Sequence, residues 1–200
     1  MFAQSMRGTN GSNTFAANDA RVELLRAVDL CHPGWTNLRG LTFSPDAFSS
    51  PVWTRWKEGL FVEIIVPRLE EARCASASGD WRFLAECDRA IDAALPAAAQ
   101  EASVRAGREL SVQHGAPKSE RLLGRYQGLI DSGGAPGHLA ILCALRGAIF
   151  HLCPAIVLGA YVFLEAKGGL PGSGIEHWVE MVEDCLSKRG CAKTSNLRAA

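Results

Sequence analysis

The sequence predicts an all-α fold: a single-domain helical bundle of about eight to nine helices. Three observations lead there. Apolar residues recur at intervals of three and four through most of the chain. Pro and Gly clusters cut that pattern into helix-length pieces. No stretch alternates apolar and polar residues convincingly over the length of a strand; Ile64-Ile65-Val66 is β-branched, yet it falls inside a helical stripe. With 200 residues the chain is long enough for one well-filled core and short for two.

Residues 1–18 are rich in Gly, Ser, Asn and Thr and hold little to bury, so a disordered tail is expected there. Asn18 can cap a first helix over about residues 19–31, with Val22, Leu25 and Val28 on one face and His32-Pro33-Gly34 ending it. A loop follows. Ser50-Pro51 then forms a cap and first-turn pair for a helix whose stripe is Trp53, Trp56, Leu60 and Ile64, and Pro67 kinks or restarts it. Ser76-Ala77-Ser78-Gly79 reads as a linker. Asp80 caps the next helix, with Leu84, Cys87, Ile91 and Leu95 as its apolar stripe. Pro96 opens an Ala-rich helix running to about Gln113, whose small side chains allow a neighbour to come close.

After the break at His114-Gly115-Ala116-Pro117, the residues Leu122, Tyr126 and Leu129 mark another helix. Gly133, Gly134, Pro136 and Gly137 form a turn. Leu139 to Leu164 is mostly apolar, but Arg146 and His151 interrupt it and Pro154 divides it. Two consecutive core helices are therefore expected rather than a membrane span of about 20 residues. Gly168 to Gly172 closes that pair. Ser173 and Glu176 have capping-box spacing, and the last helix carries Ile175, Trp178, Val182 and Leu186 on one face. The domain so bounded covers 19–189, and residues 190–200 read as a loose tail.

Composition excludes several classes of function. Lys plus Arg equals Asp plus Glu, at 21 each, so the basic excess that attracts nucleic acid is missing. Seven cysteines, irregularly spaced and without a short-spaced pair, match neither a zinc ribbon nor a thioredoxin-like motif. With no apolar secretory segment at the start, a reducing cytoplasm and free thiols are expected.

No motif in the chain carries a familiar reaction. Gly172-Ser173-Gly174 is better explained as a helix cap than as a nucleophile elbow. The turn Gly133 to Gly137 precedes a helix and could offer N–H groups to an anion, but it has neither a lysine nor a preceding strand. Glu70-Glu71 and Glu183-Asp184 are adjacent pairs that diverge on a helix and do not converge on one atom. His138, Cys143, His151 and Cys153 lie on or near the apolar helices at spacings that match no ligand pattern. Cys31 and His32 are the candidate metal ligands, placed where a loop would let them reach outward.

One long stretch has a family likeness. Trp81 to Leu95 leads into Pro96, and then comes Glu101-Ala102-Ser103-Val104-Arg105-Ala106-Gly107-Arg108-Glu109-Leu110. This resembles the urease accessory protein UreF family, in which a helix ends near an Ala-rich stretch and the next bears an Ala-Ser…Gly-Arg-x-Leu signature. The resemblance continues at Gly137-His138, through two apolar helices with the aromatic pair Tyr161 and Phe163, to the turn near Gly168-Gly169-Leu170. The front departs from the family's pattern: Pro33-Gly34 and Phe43-Ser44 are present, but the His-Ser and Gly-Leu-Glu portions are absent.

The resemblance implies a non-catalytic, homodimeric adaptor with no stably bound cofactor. Its partners would be other urease accessory proteins, a scaffold and a GTPase that delivers nickel, and apo-urease; nickel would enter only in the partner complex. Nucleic acid and membrane are not among the expected partners. Ser103, Gly107 and Gly137 are then family-motif residues of structural role, and Arg105, Arg108, His138 and Trp178 the candidate partner contacts. Two other readings compete: a small cytoplasmic metal-handling protein using Cys31, His32, Cys143, His151 or Cys153, and a helical enzyme with a pocket near His138.

Overall fold

A computed structural model describes residue 22 and residues 25–32, 55–111 and 117–165. All regular structure among these residues is helical, as the sequence predicts. The proposed tails 1–18 and 190–200, the loop after residue 32, and the last helix with Ser173, Glu176 and Trp178 lie outside the described residues. Residues 25–31 are helical. Seven helical elements follow among the described residues, where eight to nine were expected for the whole chain: π1 (Lys57–Ile65), α1 (Val66–Ser78), α2 (Trp81–Ala94), α3 (Ala97–Ser111), α4 (Pro117–Asp131), α5 (Leu139–Ile149) and α6 (Pro154–Glu165).

The proline at 67 does restart the helix, by way of a change in winding. Through π1 the backbone is π-helical, and the Val66 N–H donates to the Phe61 carbonyl five residues back. Pro67 has no N–H to give, and its ring would crowd the carbonyl four residues before it in an α-helix. The wider winding ahead of Pro67 moves that conflict into the first turn of α1, where a missing N–H costs nothing. Trp56 stacks on Phe61 with ring centroids 5.1 Å apart; Phe61 is buried and Trp56 half-buried.

One expected break is displaced. Ser76-Ala77-Ser78 is not a linker but the last turn of α1. Ser76 Oγ donates to the Ala72 carbonyl at 2.6 Å and Ser78 Oγ to the Cys74 carbonyl at 3.1 Å. Serine can bond back to the preceding turn, so its presence alone does not end a helix. The break is made by Gly79, in the left-handed region, and by Asp80, whose carboxylate accepts from the Phe83 N–H at 3.0 Å. Leu95, counted in the stripe of α2, is instead extended ahead of Pro96 and half-buried against the core, as residues before proline tend to be.

Helix α5 lies at the centre. It packs against α1, α2, α3, α4 and α6, and ten of its eleven residues are buried. A helix apolar on every side must be surrounded, which explains the 139–164 run without a membrane. No helix among the described residues is long and apolar enough to cross one. Leu139, Leu142 and Leu145 are each 0% exposed, and each contributes about 1.5–3 kcal/mol by that burial. Turn residues 150–153, with His151 at φ 55°, separate α5 from α6, which Pro154 opens.

Candidate functional site

The start of α5 is where the fold concentrates its buried polar chemistry. Helix α4 ends in a Schellman-type closure: the Gly134 N–H donates to the Leu129 carbonyl at 2.8 Å and the Gly133 N–H to the Ile130 carbonyl at 3.0 Å. The chain then runs through Ala135, Pro136 and Gly137 into His138, which precedes the first turn of α5. Gly137 has φ +92°, a conformation that a side chain rarely adopts.

A fully buried carboxylate organises this turn. Asp88, on α2, accepts from the Tyr126 hydroxyl of α4 at 2.5 Å, from the Gly137 N–H at 2.6 Å and from the His138 N–H at 3.1 Å. The two backbone donors are orphan N–H groups at the positive end of the α5 dipole, so a negative charge is favoured in this place. Burial nevertheless pushes the Asp88 carboxyl above the ordinary carboxylate range, against the pull of Tyr126, Gly137 and His138. Tyr126 is driven well above the ordinary phenol value, first by burial and then by the Asp88 charge. The sequence allows for an anion at this turn; the anion is the chain's own aspartate.

Neighbouring residues complete the frame. Arg89 Nη1 donates to the Gly134 carbonyl at 2.6 Å. The Leu139 N–H donates to Ser103 Oγ of α3 at 3.3 Å. His138, 0% exposed, places Nε2 3.0 Å from Asp92 Oδ1. A carboxylate only accepts, so Nε2 carries the proton, and Nδ1 has no partner among the described residues. Gly107 meets the same turn: a Cβ built there would overlap the Gly137 carbonyl oxygen and lie 3.0 Å from the carbonyl carbons of Gly137 and His138. A side chain at 107 would therefore push α3 off the turn.

The three motif residues Ser103, Gly107 and Gly137 thus come together around the start of α5. Arg105 and Arg108 stand on the exposed side of α3, with Glu101 and Glu109, while Ala102, Ser103, Ala106 and Gly107 are buried. His138 is not at the surface with them; its ring is enclosed and its backbone N–H is held by Asp88. Trp178 lies outside the described residues. The sequence alone assigns no role to Asp88, and Tyr126 stands there only as a marker of its helix. The available signal was an aspartate four residues after Leu84 and three before Ile91, on the face that α2 buries.

Cys31 and His32, expected to reach outward, are both buried, because residue 31 still belongs to the N-terminal helix and packs toward α5. Cys31 Sγ lies 4.0 Å from the Cys143 carbonyl. His151 and Cys153 are exposed between α5 and α6. No group of three or more His, Cys, Asp or Glu side chains among the described residues is arranged to hold a metal ion.

Chemically, the Asp88 centre is saturated. Its carboxylate has three donors, and Ser103 Oγ faces a backbone N–H rather than a base. The arrangement fixes a turn and presents the outer face of α3. Among individual curated proteins and solved structures, none matches this chain. The UreF family model matches residues 61–169, a span that runs from within π1, through the Asp88 centre, to just past α6. More than half of the chain is covered, and the protein belongs to the UreF family of urease accessory proteins.

Proposed function

We propose that this protein is a non-catalytic adaptor of urease maturation. It bridges a scaffold accessory protein and a nickel-delivering GTPase, so that nickel, as cargo, reaches apo-urease. The observation that carries this reading is the family match over residues 61–169. Two further features support it. The Asp88 carboxylate at the start of α5 is bonded to Tyr126 and to the Gly137 and His138 N–H groups, and the outer face of α3 offers Arg105 and Arg108 between Glu101 and Glu109. Arginine forks of this kind make directional bonds to carboxylates and carbonyls at protein interfaces. The working form is a cytoplasmic homodimer.

The test is binding of the purified full chain to the purified scaffold protein, GTPase and apo-urease, singly and together, by affinity capture and analytical ultracentrifugation. A stable complex containing the chain with the scaffold or the GTPase is expected. Arg105→Glu with Arg108→Glu should weaken it at least tenfold while circular dichroism and thermal midpoint stay at wild-type values. A monomer that binds none of the three would overturn the proposal.

A further inference from the structure

The N-terminal helix is fastened to the core at one polar point that the adaptor reading does not use. Its last residue, Cys31, is 0% exposed and faces α5. Cys143, on α5, is also 0% exposed. Cys31 Sγ lies 4.0 Å from the Cys143 carbonyl, across 112 residues of sequence. Three residues further along α5, Arg146 donates from Nε to the Leu30 carbonyl at 2.6 Å. Arg146 is 1% exposed, so this cation lies inside the core where residues 30 and 31 meet α5. The other described cysteines are placed differently: Cys74 and Cys153 are exposed, and Cys87 faces Glu71.

We infer that Cys31 and Cys143 form a thiol–disulfide modification site: a small-molecule disulfide converts the pair to an intramolecular disulfide that locks the N-terminal helix onto α5. The reaction is two exchanges. The Cys31 thiolate attacks the small disulfide, forming a mixed disulfide and releasing one small thiolate. The Cys143 thiolate then attacks the Cys31 sulfur of the mixed disulfide and releases the second. The two thiol protons go to the two departing thiolates, the protein pair loses two electrons, and the small disulfide is reduced by two.

Arg146 favours the Cys143 thiolate as it forms. The Cys31 side chain and then burial hold the Cys143 thiol well above the ordinary value, so exchange waits for residues 25–31 to lift from the core. The site therefore reports, and once closed prevents, detachment of the N-terminal helix.

The experiment uses the full chain and oxidised glutathione. After exposure under native conditions, free thiols are alkylated and disulfide-linked peptides are mapped by mass spectrometry, alongside a sample oxidised in urea. The Cys31–Cys143 link should dominate the native sample and lose its preference in urea. It should raise Tm by about 10 °C, as closing a loop of roughly 100 residues does in a chain of this size. Cys31→Ser should abolish the rise, whereas Cys74→Ser should retain it. Native oxidation that reaches only Cys74 and Cys153, or the same pairing preference in urea as in buffer, would overturn the inference. The wild-type mapping decides the matter even if the serine variant folds poorly.

Discussion

Removing the Asp88 carboxylate should be among the most damaging single changes available in this protein. Asp88→Ala strips the partner from three buried donors at once: the Tyr126 hydroxyl at 2.5 Å, the Gly137 N–H at 2.6 Å and the His138 N–H at 3.1 Å. Each donor left unsatisfied costs about 1–3 kcal/mol. The alanine also removes the cost of burying a charge, the same cost that raises the Asp88 carboxyl. The net loss should be about 3 kcal/mol, read from urea unfolding at pH 7 as a fall in midpoint with unchanged slope. Asp88→Asn keeps one acceptor oxygen and should lose about half as much. A cycle with Tyr126→Phe should show coupling of at least about 1 kcal/mol, since the two side chains share one hydrogen bond. A loss under about 1 kcal/mol for the alanine variant, with no coupling, would refute the reasoning.

Four further outcomes follow from the same geometry. Because burial raises the Asp88 carboxyl in the folded state, its contribution to stability is fullest below the unfolded carboxylate value and shrinks as pH rises through the folded one; the advantage of wild type over Asp88→Asn should therefore be larger at pH 4 than at pH 7 in parallel urea titrations. Gly107→Ala should destabilise by about 3 kcal/mol or more, because its Cβ meets backbone; Gly124→Ala, with open space around it in α4, should be neutral or stabilising by up to about 1 kcal/mol, and thermal melts of the two variants make the comparison. Burial and the Glu71 charge push the Cys87 thiol up to about 11, so Cys87 should resist iodoacetamide at pH 8 while Cys74 and Cys153 react, as peptide mapping would show. Arg146→Met should speed amide exchange in residues 25–31 by at least tenfold relative to α2, because it removes the guanidinium bonded to the Leu30 carbonyl.

The helix order was legible because its signals are local. Asp80 supplies a cap that uses only its own side chain and the next turn, and Pro67, Pro96 and Pro154 each act on the backbone beside them. The apolar run from 139 to 164 declared a central helix pair because it leaves no face for water. The Ser76–Ser78 turn was misread because serine serves a linker and a helix end equally well, and its choice of the carbonyl four residues back is made by the surrounding packing.

The Asp88 centre was legible only in part. Gly107 and Gly137 could be read as a close approach and a turn, yet nothing local says that they meet each other. That follows from α3 and the 133–138 turn both resting on α5. Asp88 reads as one polar residue in an amphipathic helix, and its partners lie 38 to 50 residues away. The outward expectation for Cys31 and His32 failed for a related reason: a helix end next to Pro33-Gly34 looks like the start of a loop, whereas the Cys143 carbonyl and the Arg146 side chain draw it into the core.

The adaptor role itself meets its most direct test in cells that make urease together with the remaining accessory proteins. The measurement is the nickel content of urease purified with and without this chain, by elemental analysis per active site. The account predicts nickel-loaded urease when the chain is present, and near-empty urease without it or with Arg105→Glu and Arg108→Glu together. Equal nickel occupancy in the presence and absence of the chain would contradict it.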